Sequence, residues 1–328
     1  MFGWIEDAPQ TVFLGARVYT WGLYCFFGAV LCLVTVYFQT RGKTNAAPLF
    51  GVIALPLGLV LARLFYCLFD ARMRVFEDLA DGSLEWGEYL GMLADIRSGG
   101  FGMFGALLGG VLAALIVSRA LGEDRMRLLD AAVCGLMLFV AAERLGEGSL
   151  EDFGVSRPLS ERTGWWGLFI THGEFDDCIS TYMLESLTAL GLFILLEWRR
   201  SSWKRGDAFL MGTLLFGLTQ VLMESLRFDQ HMRFSFVSVQ QVLAMCCAAF
   251  ALFVYGRRLK RLRIPSRLPL VTAVMVPATV GLIVGLEFMI DRSGVSRVLL
   301  YMIYIAALAG LGFAGARMRR LADGKGGA

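Results

Sequence analysis

Charged side chains are scarce in this chain: only 18% of its 328 residues are Asp, Glu, Lys or Arg, against a hydrophobic fraction of 57%. With a mean hydropathy of +0.62, this shortage excludes a soluble globular domain, which carries about 25% charged residues. Histidine is rarer still. The two present, His172 and His231, have no metal-ligand spacing to the cysteines, so neither a metal site nor a cofactor is expected. Met1–Gln10 is acidic and lacks a basic n-region, so no signal peptide is expected there. Six of the seven cysteines (Cys25, Cys32, Cys67, Cys134, Cys246 and Cys247) fall in apolar runs, where a thiol serves as a small packing group. Cys178 has no evident partner, which argues against a disulfide framework. No tandem repeat is visible, which leaves a repeat architecture without support.

What the chain has instead is long apolar runs. Nine of them, at 16–38, 48–69, 99–118, 128–146, 181–198, 207–227, 236–255, 269–290 and 297–316, approach the ~20 residues that a helix needs to cross a bilayer. The expected fold is therefore all-α, a polytopic integral membrane helix bundle of about nine transmembrane helices. Alternate connections at 39–47, 119–127, 199–205, 257–267 and 317–325 hold 19 of the 31 basic residues. By the positive-inside bias those connections are cytoplasmic, the N-terminus lies outside and the C-terminus inside. The run from Arg257 to Arg263 reads as a topology signal at a lipid surface, not as a nucleic-acid site. Two outer segments, 70–98 and 148–180, carry Trp86, Tyr89, Trp165, Trp166 and Phe169. They are long enough for short interfacial helices, either as lids or as aromatic anchors. The last dozen residues, Arg317 to Ala328, read as a short disordered tail.

The few charges inside the spans carry the functional argument, because ionisable groups in a membrane are costly and usually functional. Span four holds Asp130 and then Glu143, Arg144 and Glu147. Arg144 lies three residues before Glu147, within pairing distance on a helix. One arginine cannot neutralise two carboxylates, so either a second arginine approaches or one glutamate stays protonated and able to act as acid or base. Span six sets Gln220, Glu224 and Arg227 on one stripe, span two adds Arg63, span five Glu185, span seven Gln240 and Gln241, and span one Trp21. Span three opens with six glycines in the twelve residues from Gly99 to Gly110. Gly105 and Gly109 suit close helix packing, while Gly99, Gly100 and Gly102 sit where exposed helix amides could receive a phosphate. Together these groups fit a polar chamber for a phospholipid headgroup, with arginine pairing bidentately to phosphate. The alternative is an interhelical ion-pair network that only fixes packing.

Read in order, the residues resemble the prolipoprotein diacylglyceryl transferase family of bacterial inner-membrane enzymes. Tyr19-Thr20-Trp21-Gly22-Leu23 is similar to the family's R-W-Y-G-L, and Ala62-Arg63-Leu64-Phe65-Tyr66 to its G-A-R-L-G-Y. The glycine-rich opening of span three resembles G-G-M-S-F-H-G-G-L-I-G-G, and Asp130 to Arg144-Leu145-Gly146 keeps the spacing from the family's aspartate to R-x-G-N. Gly217-Leu218-Thr219-Gln220 with Glu224 and Arg227 follows G-L-F-R-F-x-x-E-F-x-R, and Ser238-Val239-Gln240-Gln241 follows S-M-G-Q. Phe104 stands where the family has histidine, Gln220 where it has arginine, Glu147 where it has asparagine and Trp21 where it has tyrosine.

The resemblance implies a transferase-like membrane domain over 1–255, seven helices, with two additional helices and a cytoplasmic tail over 256–328. It implies a multi-pass protein of the bacterial inner membrane that moves the diacylglyceryl group of phosphatidylglycerol to the lipobox cysteine of a preprolipoprotein. The expected catalytic residues are Arg144, which the resemblance implies for the headgroup phosphate, and Glu147 or Glu143 as the base in place of the family's histidine. Substrate binding is expected of Trp21, Arg63, Gly99, Gly100, Gly102, Gln220, Glu224, Arg227 and Gln241. A non-catalytic protein that binds lipid or lipoprotein, and a small-molecule transporter, are the alternatives that the residues leave open.

Overall fold

The computed structural model describes residues 9–40, 45–69, 82, 85–95, 100–150, 154–159, 169–172, 177–228, 233–234 and 237–324. It divides into two compact units, one of residues 1–193 and 227–233, the other of 194–226 and 234–328.

The first unit begins with a hairpin, β1 (Gln10–Phe13) and β2 (Ala16–Tyr19), whose turn residues Leu14 and Gly15 both have positive φ. That geometry matches the two-residue turns that best fit strand twist. It corrects the expected start of the first span at residue 16: β2 pairs back on β1, and the helix α1 runs Thr20–Thr40. There follow α2 (Ala46–Phe69), the short α3 (Trp86–Ala94), α4 (Met103–Leu121) and α5 (Arg125–Glu147). α1 packs on α5, α5 on α4 and α4 on α2.

Small residues let these backbones approach, as expected where lipid cannot drive helices together by hydrophobicity. A Cβ on Gly109 would lie 2.5 Å from Gly58 Cα, and one on Gly105 would lie 2.3 Å from the Leu61 carbonyl oxygen, so α2 and α4 touch backbone to backbone. Between α1 and α5, Gly135 meets the Cys32 backbone in the same way. The outward faces of α1 and α2 expose Phe26, Phe27, Val30, Leu55 and Val60, as a lipid-facing surface would.

After α5 the chain forms a three-stranded antiparallel sheet in the order β3 (Val155–Pro158), β5 (Asp177–Ser180), β4 (Ile170–His172). Among the described residues of 148–180 the backbone after Leu150 is extended and not helical. These three- and four-residue segments satisfy their backbone groups in a ladder, and Pro158 offers no amide to a helix. In 70–98 the expected short helix is α3. Trp165, Trp166, His231 and Gly99 lie outside the described residues. Strand β5 runs directly into α6 (Thr181–Arg200).

The second unit contains α7 (Asp207–Leu226), α8 (Val239–Arg261), α9 (Leu268–Arg292) and α10 (Arg297–Gly324). α8 packs on α7 through Gly217, whose Cβ would lie 2.5 Å from the Ala244 carbonyl oxygen. α10 packs on α7 and α8, and α9 on α8 and α10. The disordered tail expected from residue 317 is corrected, because α10 continues to Gly324. Arg319 pairs with Asp323 one turn on, at 2.7 Å, and lies 3.9 Å from the fully buried Asp207, which Arg258 also holds. Among the described residues eight helices are long and apolar enough to cross a membrane. α5 has the length, but its charges lower its apolar character.

Candidate active site

Arg144 emerges from the last turn of α5 and is 1% exposed. Its guanidinium donates from Nη1 to Glu147 Oε1, one turn on, and from Nη2 to Met103 Sδ at 3.1 Å. Nε lies 2.8 Å from Glu185 Oε2 and 3.5 Å from Glu143 Oε2. A second arginine does approach. Arg227 Nη1 donates to Glu147 Oε2 at 3.0 Å and to Glu185 Oε1 at 3.2 Å. Glu147 and Glu185 thus each bridge both arginines, and all five side chains are buried.

The sheet and the short connections hold this cluster together. Arg227 forms a backbone bridge to Ser156 of β3, and the Phe228 amide donates to the Val155 carbonyl at 2.9 Å. Glu185 sits in the second turn of α6, whose start is fixed when the Tyr182 amide donates to the Gly154 carbonyl at 2.9 Å. Ser186 ties α6 to α5 by donating to the Ala141 carbonyl at 2.7 Å.

Glu143 stands apart from its neighbours. It is 8% exposed, and its Oε2 has no hydrogen-bond partner. It lines a cavity of about 350 Å³, a volume typical of small-molecule sites. The floor of that cavity is Ala106 and Gly110 of α4 with Leu136 and Phe139 of α5. Its walls run from Trp21 to Leu33 on α1 and from Phe50 to Ala62 on α2, with Phe101, Gly102 and Met103 at the same end as Glu143. Phe26, Leu55 and Leu59 line it while remaining exposed, so it is a cleft that opens between α1 and α2. Twelve residues at helical rise, from Trp21 to Leu33, give it a length of about 18 Å, little more than one leaflet of a ~30 Å hydrocarbon core.

The other residues singled out from the sequence fall into smaller groups. Trp21 stacks on Phe101 at 6.2 Å between centroids, at the Glu143 end of the cleft. Arg63 of α2 donates to the Gly100 carbonyl at 3.1 Å and lies over the Tyr66 ring. Gly100 has φ of +74°, and a Cβ there would overlap the Tyr66 ring, so both space and backbone call for glycine. Gly102 precedes α4, and its amide donates to the Ala62 carbonyl at 2.8 Å. That amide therefore serves the α2–α4 junction. Phe104 is buried.

In the second unit Gln220 donates to Glu224 at 3.4 Å, and Ser238 Oγ donates to the other Glu224 oxygen at 2.9 Å. Gln241 closes a capping box with Ser238, and its Nε2 donates to Glu287 Oε1 at 2.8 Å. Tyr304 donates to the same oxygen at 3.2 Å. Sequence reasoning noted Glu185 but did not place it with the two arginines. It did not foresee the Met103 contact or the apolar cleft. A carboxylate in an apolar helix was the available signal for Glu185; the cleft depends on which glycines pair, which no single run reveals.

The helices and the enclosed charges define a polytopic α-helical membrane protein. Within that class, the sequence profile of prolipoprotein diacylglyceryl transferases matches residues 9–256, and the chain belongs to that family. It is 27% identical to the phosphatidylglycerol–prolipoprotein diacylglyceryl transferase of Bacillus licheniformis over 226 residues, 64% of this chain and 78% of that protein. The similarly named protein of Listeria welshimeri is 30% identical over 219 residues, 63% of this chain and 73% of its own length. That of Bacillus velezensis is 25% identical over 253 residues, 74% and 89% of the two chains. At family level, this is a diacylglyceryl transferase-like membrane protein.

Proposed function

We propose that this protein binds a phospholipid from the outer leaflet, with an acyl chain in the α1–α2 cleft and its headgroup at the Arg144 end. It then transfers the diacylglyceryl group to a thiol, such as the lipobox cysteine of a preprolipoprotein, or to another acceptor. Residues 1–255 form the transferase-like part and 256–328 an addition to it. The observation that carries this reading is the apolar cleft ending beside a buried arginine–glutamate cluster, an amphiphilic site in an amphiphilic medium. In the transfer, the acceptor sulfur attacks the glycerol carbon and the carbon–oxygen bond to phosphate breaks. The leaving phosphate takes the electron pair next to Arg144 and Arg227, whose charge stabilises it.

Generating the thiolate requires a base. Both oxygens of Glu147 are hydrogen-bonded to arginines, whereas Glu143 has an oxygen without such a bond and faces the cleft. Geometry therefore favours Glu143 for that role. Purified protein incubated with phosphatidylglycerol and a lipobox peptide is expected to release glycerol phosphate, and Arg144→Ala to abolish the release. No release under conditions where a family enzyme turns over would refute transfer of this kind.

A second reading, a non-catalytic lipid-binding relative, is favoured by the engagement of both arginines by Glu147 and Glu185. It requires that Arg144→Ala and Glu147→Ala variants keep the biological phenotype of the wild type whenever lipid binding persists. Loss of phenotype with lipid still bound excludes it.

A further inference from the structure

The cleft between α1 and α2 is open from its Glu143 end to its middle, where the exposed Phe26, Leu55 and Leu59 line it. Its other end is shut. There the lining residues Cys32, Phe50 and Leu136 are buried, Phe50 to 1% exposure. α1 and α2 meet at that end through Leu33 and Gly51, since a Cβ on Gly51 would lie 2.9 Å from Leu33 Cδ2. On the floor α4 and α5 close in the same way, a Cβ on Gly110 lying 2.8 Å from Leu136 Cδ2. The cleft is thus a blind slot, and Glu143 at its open end is the one charged residue among the described residues that line it.

Such a slot measures what enters it. Bonds near 1.5 Å with angles near 111° advance an extended chain by about 1.25 Å per carbon, so the ~18 Å from Trp21 to Leu33 takes about fourteen carbons. A longer chain meets Phe50 and Leu33 and must buckle. Because a chain that leaves the bilayer for the cleft exchanges one apolar surrounding for another, burial does not favour extra methylenes. Overpacking at the closed end therefore decides.

We propose that the closed end at Leu33 and Phe50 sets the length of acyl chain that this protein accepts, about fourteen carbons being the longest that fits extended. The inference rests on the lipid-binding reading above and makes Leu33 and Phe50 specificity-determining residues for the lipid's chain.

The test is lipid retention by full-length protein, purified in detergent and equilibrated with equal mole fractions of phosphatidylglycerols whose chains have ten, fourteen or eighteen carbons. Bound lipid is then counted by native mass spectrometry. The fourteen-carbon species is expected to exceed the eighteen-carbon one about fivefold or more, a ratio that corresponds to roughly 1 kcal/mol, the low end of the cost of overpacking. Leu33→Ala and Phe50→Ala should each lengthen the slot and bring the two species to parity. Ala29→Phe, placed about 12 Å along the slot from Trp21, should shift retention to the ten-carbon species. Wild-type protein that retains the eighteen-carbon species equally or better overturns the length limit and leaves lipid binding intact. An unchanged preference in alanine variants that accumulate normally overturns the assignment to Leu33 and Phe50. Retention of no lipid of any length overturns the lipid-binding reading itself, and the limit with it. The wild-type series decides the matter even if a variant does not accumulate.

Discussion

Glu185 and Glu143 are both buried carboxylates beside Arg144, yet their surroundings predict opposite consequences of removal. Glu185 lies 2.8 Å from Arg144 and 3.2 Å from Arg227, and bridges them. Truncation leaves two enclosed guanidiniums short of a partner, a loss that costs roughly 3–5 kcal/mol. Glu143 has only the 3.5 Å approach to Arg144 and no hydrogen bond at Oε2. Its removal deletes a buried charge that is poorly compensated, so Glu143→Ala should cost less than about 1 kcal/mol or stabilise the fold. Thermal unfolding of the two variants in detergent checks this: the Glu185→Ala midpoint falls well below wild type, and the Glu143→Ala midpoint does not. At this scale the sequence was informative about which residues are expensive and silent about who meets whom. Glu143, Arg144 and Glu147 declare themselves by lying in one apolar run. That Arg227, 80 residues beyond Glu147, would close the cluster follows from the bridge between Arg227 and Ser156 in a sheet whose strands are too short to read.

Among elements, the contact of α2 with α4 is the most exacting, because it is made by backbone. A side chain at position 109 must displace the Gly58 main chain from a distance of 2.5 Å, and overpacking of that kind costs roughly 1–3 kcal/mol. Gly109→Val is therefore expected to lower the unfolding midpoint and the yield of monodisperse protein in size-exclusion chromatography. Gly191, on α6, has open space where a Cβ would go. There Gly191→Ala should be neutral or stabilising, by up to about 1 kcal/mol of helix propensity. The spans themselves were legible, since each needs only a local apolar run. Their ends were not. The hairpin of Gln10–Tyr19 turns on Leu14-Gly15, which lacks the Asn-Gly or Asp-Gly signal of such turns. The last turns of α10 are polar enough to read as tail, and are kept helical by the pairing of Arg319 with Asp323.

For the molecule as a whole, the two helices beyond the family match are built into the second unit. Tyr304 and Leu311 are fully buried, Glu287 takes hydrogen bonds from Gln241 and Tyr304, and Arg319 of α10 approaches Asp207 of α7. Lipid would replace much of the apolar contact if these helices were removed, so the loss is one of packing and of interhelical hydrogen bonds, each worth about 0.6 kcal/mol on average. A chain ending at residue 263 should consequently assemble but unfold at a lower temperature than the full chain, measured by scanning fluorimetry in the same detergent. An unchanged midpoint would show that α9 and α10 are a mere appendage. Sequence alone counted these helices correctly, but the polar ties that fasten them involve single residues scattered over four helices.

The cleft between α1 and α2 is rimmed by Phe26, Leu55 and Leu59, side chains that are themselves exposed. A molecule can thus slip into it sideways, from among its neighbours in the same leaflet, without ever passing through water. Occupancy is then set by the mole fraction of the ligand in the surrounding bilayer and not by its concentration in the aqueous volume. Diluting the membranes should leave the site as full as before, whereas diluting the lipid within them should empty it.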